Sequence, residues 1–108
     1  MRRSRLPALL LFLTGATALA AGCAQEVGDS CSSNAECGSG RICDRASRGG
    51  YCTVSPCEPG TCPENALCVE FENAETYCMA LCDSSGDCRT GYFCDGETGA
   101  APYCRQRQ

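Results

Sequence analysis

Histidine and lysine are both absent from the 108 residues of this sequence. A serine or cysteine nucleophile usually needs one of them as its base, so the familiar nucleophilic enzymes are disfavoured. A carboxylate pair could act without them, but short stapled repeats offer little concave volume for a substrate. We therefore expect neither an enzyme nor a small-molecule substrate.

Close cysteine pairs are also missing. No Cys-x-x-Cys occurs, and the two nearest cysteines are Cys78 and Cys82. Because structural zinc sites usually combine such pairs with histidine, the spacing predicts no metal site and no cofactor.

Basic residues are few, since arginine is the only one present. Arg2, Arg3 and Arg5 lie at the start, and the other six arginines are outnumbered by 13 acidic residues, which leaves a net charge of −7 after residue 22. A chain with this balance repels phosphate, so no nucleic-acid partner is expected.

Apolar side chains are scarce after residue 22, whereas all 13 cysteines lie there. A cysteine share of about 15% exceeds the ~8–10% that marks a disulfide scaffold. A chain this short needs covalent cross-links to replace a large core, and such bonds persist in an oxidising compartment outside the cytoplasm.

Residues 1–22 have the pattern of a bacterial signal peptide. The three arginines form a positive start, and an apolar stretch of 14 residues, 8–21, follows. This stretch is shorter than the ~20 residues that a transmembrane helix needs, so we expect it to be removed on export.

The segment Leu19-Ala20-Ala21-Gly22-Cys23 ends this leader. It resembles the lipobox of bacterial lipoproteins, in which small residues precede a cysteine that is acylated and becomes the new N-terminus. The resemblance implies a lipid anchor at Cys23 and a protein of the cell envelope, held at the outer membrane. Ordinary cleavage after Ala20, which would give a secreted protein, is the alternative.

The other 12 cysteines form three sets of four with the spacing C-x4/5-C-x5-C-x8/9-C. These sets are residues 31–52, 57–78 and 82–104, with a tail of residues 105–108. Cys23 lies outside them, which favours its lipidation over an exposed odd thiol.

Other positions repeat with the cysteines. A tyrosine precedes the last cysteine of every set, and an apolar residue precedes the third. Gly40, Asn65 and Gly91 lie three places before the third cysteine, and residues of these types tolerate a left-handed backbone. We expect a tight turn there that leads into a short strand.

The first and third sets resemble the Dickkopf N-terminal cysteine-rich pattern, which also occurs in predicted lipoproteins of myxobacteria. The middle set is similar to the first four cysteines of an EGF-like module. Spacing alone leaves three pairings open within each set. The EGF likeness implies first-to-third and second-to-fourth bonds: Cys31–Cys43, Cys37–Cys52, Cys57–Cys68, Cys62–Cys78, Cys82–Cys94 and Cys88–Cys104.

The predicted fold is small and disulfide-rich, with three tandem four-cysteine repeats, short β-hairpins, loops and little helix after the signal peptide. Val69 and Phe71 alternate with glutamates as in a strand. Residues 53–56 and 79–81 are short joints, which predict a rod of repeats, and residues 23–30 are interpreted as the lipidated cysteine and its tether.

Two further features could bind ligands. Five glutamates of the middle set suit Ca²⁺ but are more typical of a solvated acidic face: Glu58, Glu64, Glu70, Glu72 and Glu75. Tyr92, Phe93 and Phe71 could form an exposed contact patch or cover the disulfides; we favour the covering role for Phe93 and the repeated tyrosines.

These features predict a non-catalytic envelope lipoprotein that displays a disulfide-stapled repeat rod for protein–protein or adhesive contact. Its partners would be a membrane, through the lipid, and an unknown protein. The alternatives are a secreted inhibitor or toxin-like protein, with a loop such as residues 45–48, and a purely structural envelope spacer.

Overall fold

This computed structural model describes residues 25–108. The strands of this part form three β-hairpins, one for each cysteine set. The hairpins are β1 (Ile42–Cys43) with β2 (Cys52–Thr53), β3 (Ala66–Glu70) with β4 (Thr76–Ala80), and β5 (Tyr92–Asp95) with β6 (Tyr103–Gln106). A one-turn helix α1 (Asn34–Cys37) and a 3-10 turn (Ser85–Asp87) complete the regular structure. The prediction of a small disulfide-rich fold with short strands and little helix is confirmed.

The predicted signal peptide (residues 1–22), Cys23 and Ala24 lie outside the described residues. Within residues 25–108, no helix has the length and apolar character needed to cross a bilayer.

The disulfides tie each hairpin to the loop that precedes it. In every hairpin the third and fourth cysteines of the set face each other across the strands, as Cys68 does Cys78. Each then bonds to an earlier cysteine, and the six bonds are those that the EGF likeness implies: Cys31–Cys43, Cys37–Cys52, Cys57–Cys68, Cys62–Cys78, Cys82–Cys94 and Cys88–Cys104. Loops of this length stabilise the fold by about 3 kcal/mol per bond in the chain-entropy account.

The predicted tight turn precedes the third cysteine in all three sets, since the N–H groups of Arg41, Ala66 and Tyr92 each donate to the carbonyl three residues earlier. Gly40 and Gly91 have φ angles of 77° and 92°, in the region where a side chain is strained.

In the middle set the turn forms without a left-handed backbone at Asn65. The side-chain amide of Asn65 donates a hydrogen bond to the backbone carbonyl of Val27 at 3.1 Å. The backbone carbonyl of Asn65 accepts one from the Leu81 N–H at 2.8 Å.

One shared core joins the hairpins. Its buried residues come from all three hairpin regions and from the chain that precedes them: Val27, Tyr51, Val69, Cys78, Met79, Tyr92 and Tyr103. Val69 belongs to β3 as predicted, whereas the strand ends at Glu70 and Phe71 packs against the core from just beyond it. Because the chain has so few apolar side chains, pooling them in one cluster removes more apolar surface from water than three separate cores could.

The rod predicted from the short joints is wrong, because the first and third sets touch. The hydroxyl of Tyr92 donates to the carbonyl of Arg48 at 2.8 Å. The second hairpin meets the first through the hydroxyl of Thr53 in β2, which donates to the Cys78 carbonyl at 2.7 Å, and it meets the third where β4 contacts β6. The three sets therefore close into a cluster.

The interpretation of residues 25–30 as part of a tether is also wrong. Val27 is buried with 2% of its surface exposed. The Gly28 N–H donates to the Cys52 carbonyl at 2.9 Å, and the Cys52 N–H donates to the Asp29 carbonyl at the same distance. This N-terminal segment (residues 25–30) is thus bound along the edge of the first hairpin and is part of the fold.

Candidate functional site

A groove of about 320 Å³ lies where the three hairpins meet. Its walls combine aromatic rings, carboxylates and amides, a mixture that suits recognition of a ligand better than simple packing does. The residues that we use to define it are Asp44, Tyr51, Phe71, Glu75, Tyr77, Met79, Tyr92 and Arg105.

A second depression, of about 740 Å³, is larger but chemically poorer. It lies beside α1 and is lined mainly by small and polar residues, with Glu36 as its one carboxylate. The Glu36 carboxylate already accepts a hydrogen bond from the Ser32 N–H at 2.7 Å. We therefore treat the groove as the candidate site.

The aromatic wall of the groove has a buried part and an accessible part. Tyr51 and Tyr92 are buried, with ring centres 5.6 Å apart. Phe71 and Tyr77 are half-buried and meet edge to face at 6.0 Å. The latter two rings are the ones that a ligand could reach.

The guanidinium of Arg89 packs against Tyr92 and stabilises the buried part of the aromatic wall. This group lies 4.4 Å from the centre of the Tyr92 ring and donates to the carbonyls of Gly28, Arg48 and Gly50. This single cation thereby joins the N-terminal segment, the first hairpin and the third. Guanidinium suits the position because its donors form a fixed planar fork and its face stacks on aromatic rings.

Two carboxylates border the groove without an ionic partner among the described residues. Asp44 accepts hydrogen bonds from the Ala46 N–H at 3.1 Å and the Ser47 hydroxyl at 2.9 Å. Glu75 accepts one from the Tyr77 hydroxyl at 2.9 Å. That bond raises the pKa of Tyr77, and burial and the negative charges of Glu75 and Asp44 act in the same direction.

Arg105 is the basic residue of the groove wall, and its guanidinium is already paired with a carboxylate. Its guanidinium lies 2.9 Å from the carboxylate of Asp95, and this is the one salt bridge within residues 25–108. The backbone N–H of Glu97 holds the pKa of Asp95 well below its usual range, and bonds from the Thr98 hydroxyl and Arg105 lower it further. The pair is therefore a fixed structural element beside the groove.

The aromatic patch and the metal sites considered in the sequence analysis do not form in the structure of residues 25–108. Tyr92 is a core residue with 4% exposure, and Phe93 is half-buried beneath the guanidinium of Arg107, so they do not form an exposed patch. No three glutamates of the middle set come together as a possible metal site in the described part of the chain. Sulfurs of three cysteines do cluster in each set, but they are bonded to other sulfurs and present no thiolate.

Sequence reasoning did not find the groove, Asp44 or Arg89. The alternation of Tyr77 and Met79 along β4 was the available signal, since side chains two apart on a strand share one face. Nothing in the sequence places Asp44 beside that face, because the contact depends on closure of the three hairpins.

Comparison with protein-family models, with curated proteins and with solved structures gave no match.

Proposed function

We propose that this chain is a non-catalytic lipoprotein of the bacterial cell envelope that presents its disulfide-stapled module to a partner protein. A small protein whose fold depends on disulfides suits an extracellular or envelope location, because such bonds persist in an oxidising compartment. The leader and the lipobox-like segment ending at Cys23 favour the anchored form of that role.

Use of the cysteines supports an anchor at Cys23. The 12 cysteines of residues 25–108 are all bonded to one another, so none of them is left to pair with Cys23. Acylation would give its sulfur a role, and several acyl chains, at about 0.8 kcal/mol per buried methylene, anchor a protein stably.

The bound N-terminal segment supports presentation close to the membrane. The N-terminal segment (residues 25–30) belongs to the fold, and the Gln25 carbonyl already accepts a hydrogen bond from Arg41, so only Ala24 separates a lipid on Cys23 from the folded module. One residue spans at most about 4 Å when fully extended. The module would therefore lie against the lipid surface with a restricted range of orientations.

A non-catalytic role is the one that the groove favours. Its side chains include carboxylates, phenols and amides but no histidine or lysine base.

The observation that carries the proposal is the combination of complete local disulfide bonding with an odd cysteine directly before the folded module.

Expression of the full chain and of Cys23→Ser in a Gram-negative host tests the anchor. We expect the native chain to fractionate with membranes and to carry a mass increase from acyl groups on Cys23, and Cys23→Ser to be released in soluble form. An unmodified N-terminus on the native chain, or equal fractionation of both forms, would contradict the proposal.

A further inference from the structure

We propose that the groove binds the arginine or lysine side chain of a partner protein, between the carboxylates of Asp44 and Glu75 and against the rings of Phe71 and Tyr77. This inference rests on the proposed function in one respect, namely that the partner is a protein met at the cell envelope. It identifies the binding site and the chemistry that the partner must offer.

Two carboxylates of the groove carry negative charge that no cation among the described residues neutralises. Asp44 and Glu75 accept hydrogen bonds only from neutral donors, while a carboxylate can accept about four. The guanidinium of Arg105 is committed to Asp95. A cation that entered the groove would therefore meet two carboxylates with no competing basic partner among the residues described.

The accessible rings are the second argument. Cations are attracted to the faces of aromatic rings, and the attraction grows as water is excluded. Phe71 and Tyr77 stand half-buried in the same groove as the two carboxylates. The chain itself already stabilises one guanidinium in this manner, since Arg89 lies over Tyr92 at 4.4 Å.

Size limits the ligand to one or two side chains. A volume of about 320 Å³ lies at the lower end of the range for small-ligand pockets. A folded domain cannot enter it, whereas a single arginine or lysine from a neighbouring surface can. The net charge of −7 after residue 22 would also attract a basic partner from a distance.

Position is the last argument. Tyr77 and Met79 point to the groove face of β4, and Ala80 therefore points to the other face. Gly28 lies on that other face, since a Cβ added to it would come within 2.8 Å of the Ala80 Cβ. The groove and the N-terminal segment thus lie on opposite faces of β4, so an anchored module would keep the groove open to a partner.

The test uses the exported full chain carrying Cys23→Ser, which is independent of lipidation. The probe is a blocked pentapeptide with a central arginine between glycine and serine residues, and its control replaces the arginine with the neutral isostere citrulline. Titration by NMR follows the ring signals of Phe71 and Tyr77. We expect the arginine peptide to shift these signals and the citrulline peptide to leave them unchanged.

Matched variants separate a specific site from general charge attraction. Asp44→Asn with Glu75→Gln removes both groove charges and keeps one acceptor oxygen in each side chain, so the hydrogen bonds from the Ala46 N–H and from the Tyr77 hydroxyl can persist. The amide nitrogen of the new asparagine can donate to the Ser47 hydroxyl, which donates to Asp44 in the native chain. Asp83→Asn with Glu58→Gln removes the same charge from exposed positions outside the groove. We expect the groove pair to weaken binding about ten-fold or more, a loss that two charge-assisted contacts account for, and the control pair to change it less than about two-fold.

Equal losses in the two pairs would overturn the proposal, as would binding of the citrulline peptide. Shifts of the same rings by the neutral sugar chitohexaose, without shifts by the arginine peptide, would assign the groove to a glycan and also overturn it. Spectra of the free variants establish that they remain folded. A lipid on native Cys23 with no peptide binding would leave the proposed function standing and remove only this inference.

Discussion

Tyr51 and Tyr103 occupy equivalent places before the last cysteines of the first and third sets, yet their hydroxyls differ in hydrogen bonding. The Tyr51 hydroxyl accepts a hydrogen bond from the Ala80 N–H at 2.9 Å and donates one to the Cys104 carbonyl at 3.4 Å. Its burial raises the pKa of Tyr51 to about 12. The Tyr103 hydroxyl is buried without a hydrogen-bond partner among the described residues.

This difference predicts opposite outcomes for the same substitution. Tyr51→Phe leaves the part-buried Ala80 N–H without an acceptor and should lower the free energy of unfolding by about 1–3 kcal/mol. Tyr103→Phe removes a polar atom that already lacks a partner, and should leave this free energy unchanged or raise it. Urea unfolding without reductant measures both. A larger loss for Tyr103→Phe than for Tyr51→Phe would contradict the hydrogen bonding described here.

Asp95 gives a prediction that depends on pH. Its pKa is lowered in the folded state, so its ionised form stabilises the fold above the unfolded value of about 4 and this contribution fades as the pH falls further. Asp95→Asn should therefore lose about 1–3 kcal/mol at pH 7, and the gap to the native chain should narrow towards pH 2. Urea unfolding at both pH values measures the gap.

Asp83→Asn is the control for Asp95, because Asp83 is exposed and its carboxylate makes no hydrogen bond within residues 25–108. It should change stability by less than about 0.5 kcal/mol at either pH. A constant gap for Asp95→Asn between pH 7 and pH 2 would show that the charge of Asp95 contributes nothing.

At the scale of elements, the N-terminal segment (residues 25–30) is held by the first hairpin. The backbone of Gly28 and Asp29 is hydrogen-bonded to that of Cys52, and Val27 enters the shared core. If Cys23 carries the proposed anchor, this arrangement would restrict the module more than a flexible tether would. The element that sequence analysis treated as a spacer therefore has a structural role.

Val27→Ala tests that role. Removing two methyl-sized groups from a buried side chain should lower the free energy of unfolding by about 1.5–2 kcal/mol. Ile42→Ala, at a position with 37% exposure, serves as the control and should cost less. An unchanged midpoint for Val27→Ala in urea would mean that residues 25–30 do not contribute to the fold.

At the scale of the whole molecule, cysteine spacing predicted the parts of the fold that are local. The regular sets and the glycines at 40 and 91 predicted three short hairpins, because a strand entered from a glycine turn depends on neighbouring residues alone. The closure of the hairpins could not be predicted. It depends on contacts such as that of Arg89 with the carbonyls of Gly28 and Arg48, and a backbone carbonyl has no signature in a sequence.

The same distinction applies to the candidate site. The disulfide pairing and the proposed lipidation of Cys23 were both predicted from local spacing and from resemblances to known families. The groove unites Asp44 beside the first hairpin, Tyr77 from the second hairpin and Arg105 from the third, so it exists only when the cluster has closed. A binding site of this kind depends on the bonds that hold the hairpins in shape.

Six disulfide bonds, each within one cysteine set, hold the three hairpins in shape. Peptide mapping of the exported protein by mass spectrometry, with free thiols blocked before digestion, checks this pairing. We expect no blocked thiol among residues 31–104, and peptides joined only in the pairs 31–43, 37–52, 57–68, 62–78, 82–94 and 88–104. Blocked thiols at these positions, or a bond between two different sets, would contradict it.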